Sequence, residues 1–138
     1  MAVRIDLHTH SEASKDGGIT AEQYAKLLRD ETLDIIAITD HDRIDFALGM
    51  HRALGRDKII VGQEITTAQG ELVGLFLTER IKPGMSAQEA IDAIRLQGGV
   101  VYVPHPFETV RSGVSQETLD AIAQDVAIIE GYHGRAVF

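Results

Sequence analysis

The sequence contains no cysteine. That excludes disulfides and thiolate metal ligands, and it fits a reducing compartment, so a cytoplasmic location is expected. No run of apolar residues approaches the ~18 needed to cross a bilayer. A strand begins by residue 3, which leaves no room for a leader peptide, so none is expected. Proline is scarce, at three in 138 residues, and there is no repeat, low-complexity tract or Pro/Gly/Ser-rich linker. One domain covering residues 1–138 is therefore expected, with 44% hydrophobic residues to fill its core. Positive charge is also short: 13 Lys and Arg stand against 21 Asp and Glu, a formal net charge of −8. This argues against a protein that coats long nucleic acid. It fits ordinary solubility, or carboxylates gathered where cations bind. Also missing are a Walker loop, a Gly-rich dinucleotide loop and any Ser-His-Asp arrangement, and Gly17-Gly18 and Gly98-Gly99 are too short to cradle phosphate.

What is present alternates. Residues 3–7 read as a strand. Thr20 and Gln23 form a capping box for a helix to about Asp30, with Tyr24, Leu27 and Leu28 on one face. Residues 33–39 are apolar in the middle without alternation, as in a parallel strand buried on both faces. A helix over roughly 44–54 closes near Gly55. Strands at about 58–66 and 71–78 flank the Gln69-Gly70 turn and read as a hairpin. Ser86 and Glu89 form a second capping box, and the helix they open presents Ala90, Ile91, Ile94 and Leu96 before stopping at Gly98-Gly99. A strand at 100–103, a helix from Ser115 to about Gln124 and a strand at 126–130 complete the order. This β-α-β-α-β-β-α-β-α-β alternation predicts an α/β domain with a largely parallel sheet or barrel.

In such folds chemistry gathers at the C-terminal ends of the strands. His8 and His10, two apart at the end of the first strand, can turn both imidazoles to one point, a metal-binding spacing that two exposed histidines also satisfy. Asp40 and His41 end the second strand, Glu64 lies near the end of the third, His105 ends the fifth and His133 follows the last. Five of the six histidines thus fall at one rim, and only His51 sits in a helix body, where it reads as a surface residue without function. Each has a plain alternative. Asp16 in its Gly-flanked loop can be a turn former, and Asp40 or Asp42 can cap the following helix. Asp40 can also orient His41. Glu64 can be a solvent-facing strand residue, His105 between two prolines a loop residue, and His133 an exposed one. The clustering favours a metal centre, and imidazole and carboxylate donors suit Mn, Zn or Fe.

The motifs Asp6-Leu7-His8-Thr9-His10-Ser11, Thr39-Asp40-His41, Gly62-Gln63-Glu64 and Pro104-His105-Pro106-Phe107, in this order, resemble those of the polymerase and histidinol phosphatase (PHP) family. The resemblance implies a distorted (β/α)7, TIM-like barrel with two or three divalent metals at its C-terminal rim, and hydrolysis of phosphate esters in active members. By that resemblance His8 and His10 match ligands of a first metal and Glu64 the carboxylate bridging the first and second. His105 and His133 match ligands of the second, though many relatives carry Asn near the position of His133. Asp16 and His41 match ligands of a third. Arg111 matches a basic residue that meets substrate phosphate, with Arg135 a weaker candidate. Glu64, Asp40 and Arg111 are the expected catalytic residues.

The family's late Asp-x-His motif, which supplies one ligand each to the first and third metals, does not occur before Phe138. The expectation is a barrel incomplete at its C-terminus, either a fragment of a longer protein or a chain whose missing edge another copy supplies. The expected activity is hydrolysis of a small phosphomonoester, a nucleotide or a short oligonucleotide end. Paired metals about 3.5–4 Å apart acidify a bound water and neutralise the phosphate oxygens there. The expected partner is a small phosphorylated substrate, with no long nucleic acid and no membrane. The alternatives are a metal-binding PHP module with a structural or regulatory role, as in some bacterial DNA polymerases, and a metal-dependent amidohydrolase.

Overall fold

The computed structural model describes residues 2–108 and 112–131. The elements are β1 (Ile5–Thr9), α1 (Ala21–Arg29), β2 (Ile35–Ile38), α2 (Asp45–Leu54), β3 (Ile59–Thr67) and β4 (Gly70–Leu75). They continue with α3 (Ala87–Leu96), β5 (Val100–Val103), α4 (Gln116–Ile122), a 3-10 turn and β6 (Ile128–Ile129). The six strands lie side by side in chain order, curled into a half-barrel, the incomplete form of the barrel expected. β1, β2 and β3 pair in parallel, β4 runs antiparallel to both β3 and β5, and β6 is parallel to β5.

Alternation along the strands sorts the core into two layers. Ile36, Ile38, Ile59, Val61, Ile65, Leu72, Val101 and Val103 face the helices and pack with Tyr24, Ala47, Ile91, Ile94 and Ile122. The opposite, concave face holds a smaller apolar floor of strand residues only, Ala37, Val73, Leu75 and Tyr102 with Leu7, Ile60, Val100 and Ile128 around them. The polar rim stands above this floor.

Both capping boxes form: Thr20 accepts from the Gln23 amide and Ser86 from the Glu89 amide, each with its reciprocal bond. Other expectations are corrected. Leu96 is 90% exposed rather than part of the α3 core face, because it follows Ile94 around the helix to the solvent side. Neither Asp40 nor Asp42 caps α2, whose first residue follows Ile44 with no side-chain cap. Asp42 adopts φ 54° and accepts from the Thr66 amide (2.8 Å) and hydroxyl (2.7 Å), tying the β2–α2 turn to β3. His51 is half-buried, and its Nδ1 bonds the Ile59 carbonyl (2.6 Å), which fastens α2 to β3. β5 falls where expected, at Val100–Val103, while the other strands shift by one to three residues from their expected limits, β1 and β2 because they end where their mutual pairing ends.

Candidate metal centre

A register irregularity between Asp6 and Thr9 sets the first two ligand candidates. Thr9 is turned to the helix layer, where its hydroxyl pairs with Tyr24 Oη (2.8 Å) and donates to the Ala37 carbonyl (2.7 Å). Its neighbours His8 and His10 therefore face the concave side, their ring centroids 5.3 Å apart. Past the end of β2, Glu64 N donates to Asp40 O (3.0 Å) and Asp42 N to Glu64 O (2.9 Å), so His41 and Glu64 stand side by side.

Glu64, 1% exposed, is the centre of the cluster. Its carboxylate lies 3.1 Å from His8 Nε2, 3.0 Å from His10 Nε2, 3.2 Å from His105 Nε2 and 3.4 Å from His41 Nδ1. Asp16 approaches from the loop after β1, 2.9 Å from His10 Nδ1 and 3.4 Å from His41 Nε2. That loop folds tightly over His10, and Gly18 is required there because a Cβ would fall 2.1 Å from the His10 carbonyl oxygen. His105 is held at φ 26°, a conformation costly for a residue with a Cβ. Its amide donates to Glu130 Oε1 (3.1 Å) and its carbonyl accepts from the Glu108 amide (3.3 Å). Gly113 packs onto that carbonyl so closely that a Cβ would sit 2.3 Å from it.

The structure thus brings His8, His10, Asp16, His41, Glu64 and His105 together. His133, Arg111 and Arg135 lie outside the described residues. Asp40 is buried beneath the rim, but its oxygens accept from the Ser11 amide and hydroxyl (2.6 Å each). It anchors the β1 exit loop and is not bonded to His41, which corrects the expectation that it orients that ring.

Three acidic residues were missed. Glu130, just after β6, accepts from Tyr102 Oη (2.6 Å) and bonds His8 Nδ1 (2.8 Å), which turns His8 Nε2 toward Glu64. Glu71 on β4 lies 3.6 Å from His105 Nε2, and buried Glu108 lies 3.7 Å from His105 Nδ1. Only the His-carboxylate complementarity of the rim could have drawn attention to them.

The electrostatics are those of a site built around positive charge. Burial works against a charged His8, but the hydrogen bonds and charges of Glu130 and Glu64 outweigh it and raise its pKa to about 10. The same competition, won by Glu64 and Glu71, raises His105 to about 9, and His10 is raised by Glu64 and Asp16. Burial pushes Glu64 up, yet the imidazoles around it hold its carboxyl well below the ordinary range. Burial is likewise outweighed at Glu130, which His8 and Tyr102 bring down to about 2. Glu71 moves the other way, raised by burial and by the charge of Glu64.

The donor set fits divalent ions. His10 Nε2, His41 Nδ1 and Glu71 Oε2 are buried without a hydrogen bond of acceptable geometry, even where an ion-pair distance is short. Such atoms cost free energy unless something is bound to them. Three linked groups each bring their donor atoms within 4.8 Å of one another: His8, His10 and Glu64; His10, Asp16 and His41; and His41, Glu64 and Glu71.

Comparisons with known proteins bear on the fold and the family. An uncharacterised protein of Methanocaldococcus jannaschii is 28% identical over 144 residues, covering 95% of this chain and 84% of the relative. A second from the same organism is 36% identical over 112 residues, covering 79% of this chain but only 42% of the relative's length. Among solved structures, one described as a putative metal-dependent phosphoesterase from Bifidobacterium adolescentis superposes with TM-score 0.72 at 18% identity, covering 96% and 78% of the two chains. A two-domain protein from Bacteroides vulgatus, described as containing a predicted PHP-like metal-dependent phosphoesterase, gives 0.61 at 23% identity, covering 88% and 41%. An amidohydrolase from Chromobacterium violaceum gives 0.67 at 15% identity, covering 92% and 76%. At these identities the structures share the fold. The sequence itself matches the PHP domain over residues 6–128, and the chain belongs to that family.

Proposed function

We propose that this protein is a metal-dependent hydrolase of phosphate esters, acting on a small phosphomonoester, a nucleotide or a short oligonucleotide end. One observation carries the reading: a buried carboxylate, Glu64, faces four imidazoles drawn from β1 and the residue that follows it, the turn after β2 and the loop after β5. Family membership and the phosphoesterase descriptions of two structural neighbours support the choice of ester.

His8, His10 and Glu64 would hold one ion, Glu64 with His105 a second, and Asp16 with His41 a third. Bound divalent ions supply Lewis acidity, which makes a water nucleophilic near neutral pH and neutralises phosphate oxygens. The chain's own groups do the positioning. Glu130 fixes the His8 tautomer and ring plane through Nδ1, as carboxylates behind metal-binding histidines do. Asp40 fixes the β1 exit through Ser11. The concave apolar floor closes the site from below. Arg111 and Arg135 remain the candidate phosphate contacts, and the site is read as Mn, Zn or Fe dependent.

The test assays protein loaded separately with Mn2+, Zn2+ or Fe2+ on phosphomonoesters, nucleotides, short oligonucleotides and amide substrates. Phosphate release that falls at least ~100-fold in His8→Ala and Glu64→Gln is expected. Turnover of amides alone, or phosphate release unchanged in both variants, would overturn the reading.

A further inference from the structure

Glu71 has no part in the ligand set suggested by the sequence motifs, yet it is buried among those ligands, 8% exposed. The direction of β4 explains its position. This strand runs antiparallel, so its N-terminal end lies at the rim where its parallel neighbours present their C-terminal ends. Glu64 pairs with Val73 and Thr66 with Glu71, which places the two carboxylates on the concave face of adjacent strands, two positions apart. The start of β4 is pinned there, since the Glu71 amide donates to the Ser112 carbonyl (2.9 Å) in the loop that carries His105.

Glu71 Oε2 is buried, lacks a hydrogen bond and lies 3.6 Å from His105 Nε2. That same nitrogen is 3.2 Å from Glu64 Oε2. A donor atom of Glu71 also falls within 4.8 Å of those of His41 and Glu64. Two carboxylates packed this closely away from water repel, and a divalent cation bound between them offsets that repulsion. A cation shared by Glu64, Glu71 and His105 would satisfy both carboxylates and the unpaired oxygen together.

Resting on the metal-dependent reading above, we infer that Glu71 is a metal ligand, and that with Glu64 and His105 it makes a carboxylate-rich position beside the imidazole-rich one of His8, His10 and Glu64. The two positions differ in donor chemistry: two carboxylates and one imidazole against two imidazoles and one carboxylate. Oxygen donors suit Mn2+, whereas imidazole suits Zn2+ and Fe2+. These two of the three positions are therefore unlike, and the Glu71 position favours Mn2+ more than its imidazole-rich neighbour does.

The experiment titrates metal-stripped full chain with Mn2+ alone and with Zn2+ alone, by calorimetry, for wild type and Glu71→Gln. The variant keeps the side chain's shape, and circular dichroism reports its fold. The expected result is a Mn2+ site lost or weakened about tenfold or more in Glu71→Gln, with Zn2+ binding less affected. A Mn2+ isotherm superposing on that of wild type overturns the inference and leaves the hydrolase reading standing. Wild type that takes up neither ion overturns both. As a readout that needs no variant, wild-type crystals soaked in Mn2+ are expected to show an anomalous peak within bonding distance of Glu71. A peak on Glu64 and His105 that excludes Glu71 overturns the inference.

Discussion

Single side chains carry most of the chemistry here, and Glu130 shows how. One carboxylate bonds the His8 ring, the Tyr102 hydroxyl and the His105 amide, so it orients one candidate ligand and braces the backbone of another. Replacing it by Ala should weaken metal binding about 10–100-fold, the usual cost of losing such a partner. A metal titration of Glu130→Ala checks this, and unchanged affinity would deny the positioning role. The histidines set a pH dependence. His8, facing Glu64 and Glu130, is raised from 6.5 to about 10, and His105, facing Glu64, Glu71 and Glu108, to about 9. In metal-free protein their stabilising effect is complete below pH 6.5 and is lost as pH rises toward 9–10. Glu130, lowered from 4.5 to about 2, stabilises above pH 4.5 and loses that effect as pH falls toward 2. Melting temperature of the stripped protein should therefore peak between those limits, near pH 5–6. Ligands must be deprotonated to bind metal, so loading at pH 7 should release protons, seen as a buffer-dependent heat of binding.

At the scale of elements, what is local in the chain was readable and what is remote was not. The capping boxes at Thr20 and Ser86 each involve residues three apart, and both form. Ser86→Ala should lower stability by about 1 kcal/mol in urea melts while leaving metal uptake intact. Leu96→Lys should change stability by less than about 0.5 kcal/mol, because this leucine stands in solvent rather than in the core face. Asp40 and Asp42 looked like caps because a carboxylate before a helix usually is one. Their partners, Ser11 and Thr66, lie 29 and 24 residues away, beyond any local pattern. Glu71 was overlooked for a topological reason. The rule that chemistry lies at C-terminal strand ends holds for parallel strands, and β4 is antiparallel, so its first residues reach the rim instead. His8 and His10 were legible as a pair, although it is the register shift before Thr9 that turns both inward.

For the whole molecule, the alternating order of elements was enough to anticipate a curled α/β sheet with helices on one face and a rim of ligand-type residues. Among the described residues no helix is long and apolar enough to cross a membrane. The design separates two tasks. The apolar layer under the helices holds the sheet, while the concave face is divided between a small apolar floor and a rim where His and carboxylate side chains crowd at 2.8–3.7 Å. Metal should tie that rim together. Saturating divalent ion at about 100 times its dissociation constant should add about 2.7 kcal/mol to stability, read as a rise in melting temperature that a chelator reverses.

The most direct measurement is elemental analysis of the chain after loading with Mn2+, Zn2+ or Fe2+ and desalting, beside the same preparation of Glu64→Gln. Two or more ions per wild-type chain, falling sharply in the variant, are expected from a rim centred on Glu64. A wild-type chain that retains no metal, or equal retention in both proteins, would contradict it.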